Sequence, residues 1–71
     1  MNAKTRIKVS KYRMDNGLIV PNSVESFTAS VGLIMGLLKI LKQEIKTDEN
    51  GKHFEINYRD GVYDYYQLSE I

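Results

Sequence analysis

The chain contains no cysteine and a single histidine, His53, in 71 residues. For so short a chain this is the tightest constraint on its fold. A domain of this size buries only about 60% of the surface its unfolded form exposes. Its core supplies on the order of 3–5 kcal/mol of net stability. Disulfides, thiolate metal sites and histidine metal clusters are excluded by composition. Association with another subunit is the remaining common source of extra stability, so a homodimer is expected.

Hydrophobic residues make up 42% of the chain and charged residues 27%, as in folded globular proteins. One domain over residues 1–71 is expected. The stretch from Met1 to Arg6 is polar and no apolar run follows it, so no secretory signal is read. With cysteine absent, a cytoplasmic location is expected.

The net charge of +1 hides a split. Lys4, Arg6, Lys8, Lys11 and Arg13 against Asp15 give residues 1–20 a charge of +4. Residues 47–71 carry Lys52 and Arg59 against Asp48, Glu49, Glu55, Asp60, Asp64 and Glu70, a charge of −4. The chain is basic at one end and acidic at the other.

Residues 1–21 read as a basic β-hairpin. Ile7, Val9 and Tyr12 favour a strand over 4–14, Asp15-Asn16-Gly17 is a turn signal, and Leu18–Val20 form a second strand ended by Pro21. A two-residue turn sets Met14 opposite Ile19. A three-residue turn sets Met14 opposite Leu18 and Tyr12 opposite Val20, gathering four apolar side chains on one face. The three-residue turn is the expected one.

Residues 22–46 read as one long helix, with Asn22 or Ser23 as N-cap and Glu25 completing a capping box. Val24, Phe27, Val31, Ile34, Leu38, Leu41 and Ile45 recur at spacings of three and four. Leu33, Leu37 and Ile40 widen the apolar arc beyond one sheet-facing stripe. Thr28, Gly32 and Gly36 add a strip of small residues. The excess is either padding against loops or a seam for a second copy. Gly32, Leu33, Gly36, Leu37 and Ile40 are the expected self-association residues. The uncharged run Ser26–Leu38 is too short to cross a bilayer, so no membrane span is expected.

After a polar loop, Thr47-Asp48-Glu49-Asn50-Gly51, residues 52–68 read as an acidic, tyrosine-rich hairpin about Asp60-Gly61. This register pairs Tyr58 with Tyr63, Ile56 with Tyr65 and Phe54 with Gln67. Phe54, Ile56, Tyr58, Tyr63 and Tyr65 then share a core face. His53, Glu55, Asn57, Arg59, Val62, Asp64, Tyr66 and Leu68 share the outer one. Val62, Asp64 and Tyr66, with Glu55 and Arg59, are the candidate protein-partner residues, since tyrosine is favoured in interface cores. The expected architecture is α+β: ββαββ, one long helix on a small antiparallel sheet, homodimeric.

No catalytic site is expected. His53 is the one base of the usual kind, with no nucleophile set beside it, and reads as a lone surface histidine. Asp60 and Asp64 lie at and beside a turn, where Asp is favoured for backbone reasons. There is no phosphate loop, and no cofactor or metal is expected. The function expected is binding of another protein, as an inhibitor, adaptor or regulator of the kind phages and mobile elements direct at host enzymes. The alternative is a nucleic-acid-binding regulator that uses Lys4, Arg6, Lys8, Lys11 and Arg13 as a basic ribbon. Against it stands the plainer reading that lysines protect an edge strand.

Overall fold

A computed structural model describes residues 4–49 and 51–71. The order is β1 (Arg6–Asp15), β2 (Leu18–Ile19), β3 (Glu25–Ser30), α1 (Val31–Leu41), β4 (Lys46–Asp48), β5 (Gly51–Arg59) and β6 (Val62–Glu70). The expected ββαββ order is overturned. Six strands dominate, and the helix has 11 residues instead of running from 22 to 46. The polar segment 47–51 is the β4–β5 hairpin, and Asn50 of that segment lies outside the described residues.

The helix is shorter than its periodicity predicts because Glu25–Ser30 satisfies two periods at once. Phe27 fits a helical seam, but Glu25, Phe27 and Ala29 also alternate with Ser26, Thr28 and Ser30. Phe, Ser and Thr are weak helix formers, and Phe and Thr suit a pleated surface. As a strand the segment pairs with β1 from Arg6↔Ser30 to Lys11↔Glu25. Tertiary pairing therefore decides against local helix periodicity.

Ser30 takes over as N-cap, its hydroxyl accepting from the Leu33 N–H at 3.2 Å. The helix stops at Lys42, which adopts φ 56°. Gln43 N–H donates to the Leu38 carbonyl at 2.9 Å and Lys42 N–H to that of Lys39 at 3.3 Å. This is the Schellman pattern, which usually has glycine at the left-handed position. Among the described residues no helix is long and apolar enough to cross a membrane.

Both hairpin registers depart from expectation. In the first, Met14 opposes Ile19 and Asp15 opposes Leu18 around a two-residue Asn16-Gly17 turn with φ 51° and 85°. That turn matches strand twist better than the three-residue loop. Leu18 and Ile19 are exposed, so the apolar clustering that favoured the longer loop does not arise.

In the second hairpin the Asp60-Gly61 turn is as expected, with Arg59 opposite Val62, but a bulge at Tyr58 slips everything beyond it by one residue. Phe54 now opposes Tyr66 and Glu55 opposes Tyr65. A one-residue slip exchanges faces. Val62, Asp64, Tyr66 and Leu68 join Phe54 and Ile56, while Tyr63 and Tyr65 join His53, Glu55 and Asn57.

The strands form one antiparallel sheet, with β2 and β3 side by side along one flank of β1, followed by β6, β5 and β4. The basic β1 thus lies against the acidic β6, from Ile7↔Glu70 to Asp15↔Val62. α1 crosses one face of this sheet. Ile34 and Leu38 pack there on Ile7, Val9, Ala29 and Phe54, with Val31, Ile45, Ile56, Tyr66 and Leu68 around them. Among the described residues the other face carries no helix.

Candidate functional site

The helix is too small for the sheet beneath it. Eleven residues make a rod about 16 Å long and about 10 Å wide, whereas β1, β5 and β6 are each about 30 Å long. α1 therefore covers one half of its face and leaves the other half open. Met35 and Val31 border the sheet end, lining with Ile7, Lys52, Leu68 and Glu70 a cavity of about 190 Å3.

At roughly 100° per residue, Leu33, Leu37 and Leu41 lie on the opposite flank of the helix, turned toward the open half, with Ile40 above them. Leu33 is 66% exposed and Ile40 80%, while Leu37 and Leu41 are each more than a third exposed. Large aliphatic side chains grouped in this way exceed the scattered surface hydrophobics of an ordinary monomer.

The open half of the same face is polar and aromatic. Arg13 Nε donates to Asp64 Oδ1 at 2.9 Å, and this bond holds the guanidinium above its usual pKa range. The guanidinium also lies 4.2 Å from the centre of the Tyr58 ring, which alternates onto this side with Phe54 and Ile56. Arg59 lies 5.5 Å from the same ring, and Lys11 Nζ is 5.8 Å from that of Tyr66. Cations at such distances are attracted by the ring faces. The leucine flank and this charged, ring-bearing group thus belong to the same face of the sheet.

The helix-free face has its own row. Tyr12 stacks on Tyr65 with ring centres 4.9 Å apart, and Tyr65 on His53 at 4.8 Å. His53 is therefore 6% exposed and not a surface histidine. Its Nδ1 lies 3.4 Å from Asp48 Oδ2, but no aligned hydrogen bond forms there. Glu55 Oε1 is 4.0 Å from Nε2. Burial, the largest cause, raises the pKa of both Tyr12 and Tyr65 above the usual tyrosine value. Among the described residues there is no cluster of three or more His, Asp or Glu side chains able to hold a metal ion.

The residues singled out from sequence are distributed unevenly. Leu33, Leu37 and Ile40 stand together on one helix flank. Gly36 faces open space, with nothing within 4 Å of where a Cβ would be, and Gly32 is half-buried. The five expected partner residues do not form one patch. Val62 is buried, Tyr66 stacks on Phe54 at 4.7 Å, and Asp64 is tied to Arg13. Glu55 lies on the opposite face, and Arg59 sits at the turn. Of the five basic residues, Arg6 and Lys8 share the helix-free face with Tyr12, whereas Lys11 and Arg13 lie on the helix side; Lys4 precedes β1.

Sequence reasoning missed the Arg13–Asp64–Tyr58 cluster and the Tyr12–Tyr65–His53 row. Both depend on β1 pairing with β6, residues about fifty positions apart, and the charge split was the one sequence signal of that pairing. Comparison with known protein families, with curated proteins and with solved structures returns no match.

Proposed function

We propose that this protein is a non-catalytic binding protein that engages another protein through the exposed apolar flank of α1 and the open half of its sheet face. The carrying observation is the group Leu33, Leu37, Ile40 and Leu41, exposed along one flank of a helix in so small a chain. Burying about 25 cal/mol per Å2 of apolar surface makes such a flank a strong docking element. The Arg13–Asp64–Tyr58 group supplies polar contacts and orientation. A partner that presents an amphipathic helix or an aliphatic ridge suits this geometry. Inhibition, adaptor function or regulation of that partner would all use the same surface.

The nucleic-acid alternative draws on Arg6 and Lys8 beside Tyr12. The division of the five cations between two faces, and the presence of Asp48 and Glu55 on the same face as Tyr12, count against it.

The test is parallel affinity capture from the native lysate with the unmodified chain and with Leu33→Glu/Ile40→Glu as baits. A stoichiometric protein partner retained by the first and lost by the second supports the reading. Recovery of nuclease-sensitive nucleic acid alone, or a protein partner held equally by both baits, refutes it.

A further inference from the structure

The two edges of the sheet are built differently. On one side β4 covers only Gly51, Lys52 and His53 of β5. Beyond them β5 is open, but it carries the charge of Glu55 and a bulge between Asn57 and Arg59. Charges and bulges discourage strand addition. On the other side lies β3, which pairs with β1 along its whole length and, among the described residues, with no other strand. From Ser26 to Ser30 this edge has no charge, no proline and no bulge.

Hydrogen-bond parity identifies the backbone groups that face outward. Val31 N–H donates to the Thr5 carbonyl at 2.8 Å, so these two residues form a hydrogen-bonded pair next to the ladder. Such pairs alternate along antiparallel strands. Ala29, Phe27 and Glu25 therefore direct N–H and C=O toward β1, and Ser26 and Thr28 direct theirs away. Arg6 Nη2 reaches the outward Thr28 carbonyl at 3.3 Å and its hydroxyl at 2.9 Å. A carbonyl oxygen has a second acceptor site, so this contact leaves room for another donor.

We propose that β3 is a homodimerisation edge: two copies pair their β3 strands antiparallel about a two-fold axis at Phe27, joining two sheets into one. In this register Ser26 meets the partner's Thr28 and Thr28 meets the partner's Ser26, making four backbone hydrogen bonds. Phe27 opposes the partner's Phe27 as a non-hydrogen-bonded pair, with Cβ atoms about 4.5–5.5 Å apart, where aromatic cross-strand pairs are favourable. Glu25, the one charged residue of β3, meets the partner's Ala29, so no two like-charged residues of β3 are opposed.

A second copy suits this edge because an isologous contact requires the strand to complement itself, and this strand does so in both charge and pattern. Val24 is 62% exposed and Phe27 42%. A paired edge about 20 Å long together with these side chains buries on the order of 500 Å2 per protomer, below the ~800 Å2 of a standard interface. The dimer is accordingly a dissociable one. It leaves Leu37, Ile40 and Leu41 free and does not depend on the proposed partner surface.

The test is sedimentation or light scattering from low to high micromolar concentration. The weight-average mass is expected to rise from the 8.2 kDa of one chain toward double. Ser26→Pro removes an outward N–H and no bond to β1, and Thr28→Lys sets a cation diagonally across the two-fold axis from its own symmetry mate. Both are expected to stay monomeric with an unchanged far-ultraviolet spectrum, while Ile40→Glu keeps the dimer. In the unmodified chain, exchange of the Ser26 and Thr28 amides is expected to slow at least about tenfold with concentration. That measurement needs no variant to fold. A mass that stays at one chain, a dimer that survives both edge variants, or amide exchange independent of concentration overturns the proposal.

Discussion

Leu38 and Ile40 are two positions apart on α1, yet they report opposite environments. Leu38 is 2% exposed against Ile7, Val9 and Phe54, and Ile40 is 80% exposed. Leu38→Ala removes a fully buried isobutyl group and leaves a cavity, a change that costs about 3 kcal/mol or somewhat more. The helix-propensity gain of alanine returns only a few tenths. A core of this size supplies about 3–5 kcal/mol of net stability, so Leu38→Ala removes more than half of it. For a domain of this size the melting temperature should fall by about 12–24 °C. Ile40→Ala loses little burial and gains helix propensity, so its change should stay within about 0.5 kcal/mol.

The assay is thermal and urea unfolding of both variants, each at a low and a high protein concentration. Equal costs for the two would mean that α1 does not sit on the sheet as described. A cost above about 1.5 kcal/mol for Ile40→Ala, present only at high concentration, would mean that association buries this side chain. That result would remove Ile40 from the surface open to a different partner.

Three further predictions follow from backbone and ring geometry. Lys42→Gly should raise stability by about 0.5–1 kcal/mol, because a left-handed conformation is strained for lysine and free for glycine; a calorimetric melt checks it, and a lower melting temperature would contradict the cap. Gly61→Ala should cost about 1–2 kcal/mol, since φ is +74° there and a Cβ would lie 2.6 Å from Asn16 Oδ1; urea unfolding measures it. Tyr12 and Tyr65 have raised pKa values in the folded state, so their neutral forms are favoured by folding. Their contribution is complete below the unfolded tyrosine value of about 10 and is lost as pH rises through the higher folded values. Stability should therefore fall above pH ~10, and Tyr12→Phe should flatten the fall; an unaltered profile in that variant would exclude the stack as its cause.

What is legible in the sequence has local causes, and only in part. Asn16, Gly17 and Gly61 take positive φ at the two turns, although the first turn has two residues and not the expected three, and of the helix expected over 22–46 only Val31–Leu41 is helical. The failures have non-local causes. Phe27 and Ala29 become strand residues only because Val9 and Ile7 lie opposite them. The bulge at Tyr58 has no glycine or proline to announce it, and it alone moves Tyr66 from the expected outer face to the core beside Phe54. Lys42 ends the helix without the usual glycine, so a helix expected to reach Lys46 stops short. The apolar flank was legible because Leu33, Leu37 and Ile40 exceed what one sheet contact requires. The polar group on the same face was not, because Arg13 and Asp64 come together only through the β1–β6 pairing.

That pairing also dictates when the sheet can exist. β6 lies between β1 and β5, and its rungs with β1, from Asp15↔Val62 to Ile7↔Glu70, close loops of roughly fifty to sixty residues, so that among the described residues the β1–β2–β3 group and the β4–β5 hairpin are joined by backbone hydrogen bonds only through it. Non-local closure of this kind slows folding. On the ribosome, β1 must wait with its inner edge bare until β6 has been made and released. During synthesis the strand most in need of shielding from other nascent chains is thus the one studded with lysine and arginine. Charge on an unpaired edge discourages the addition of a foreign strand, and the same charge complements the acidic β6 once the two pair.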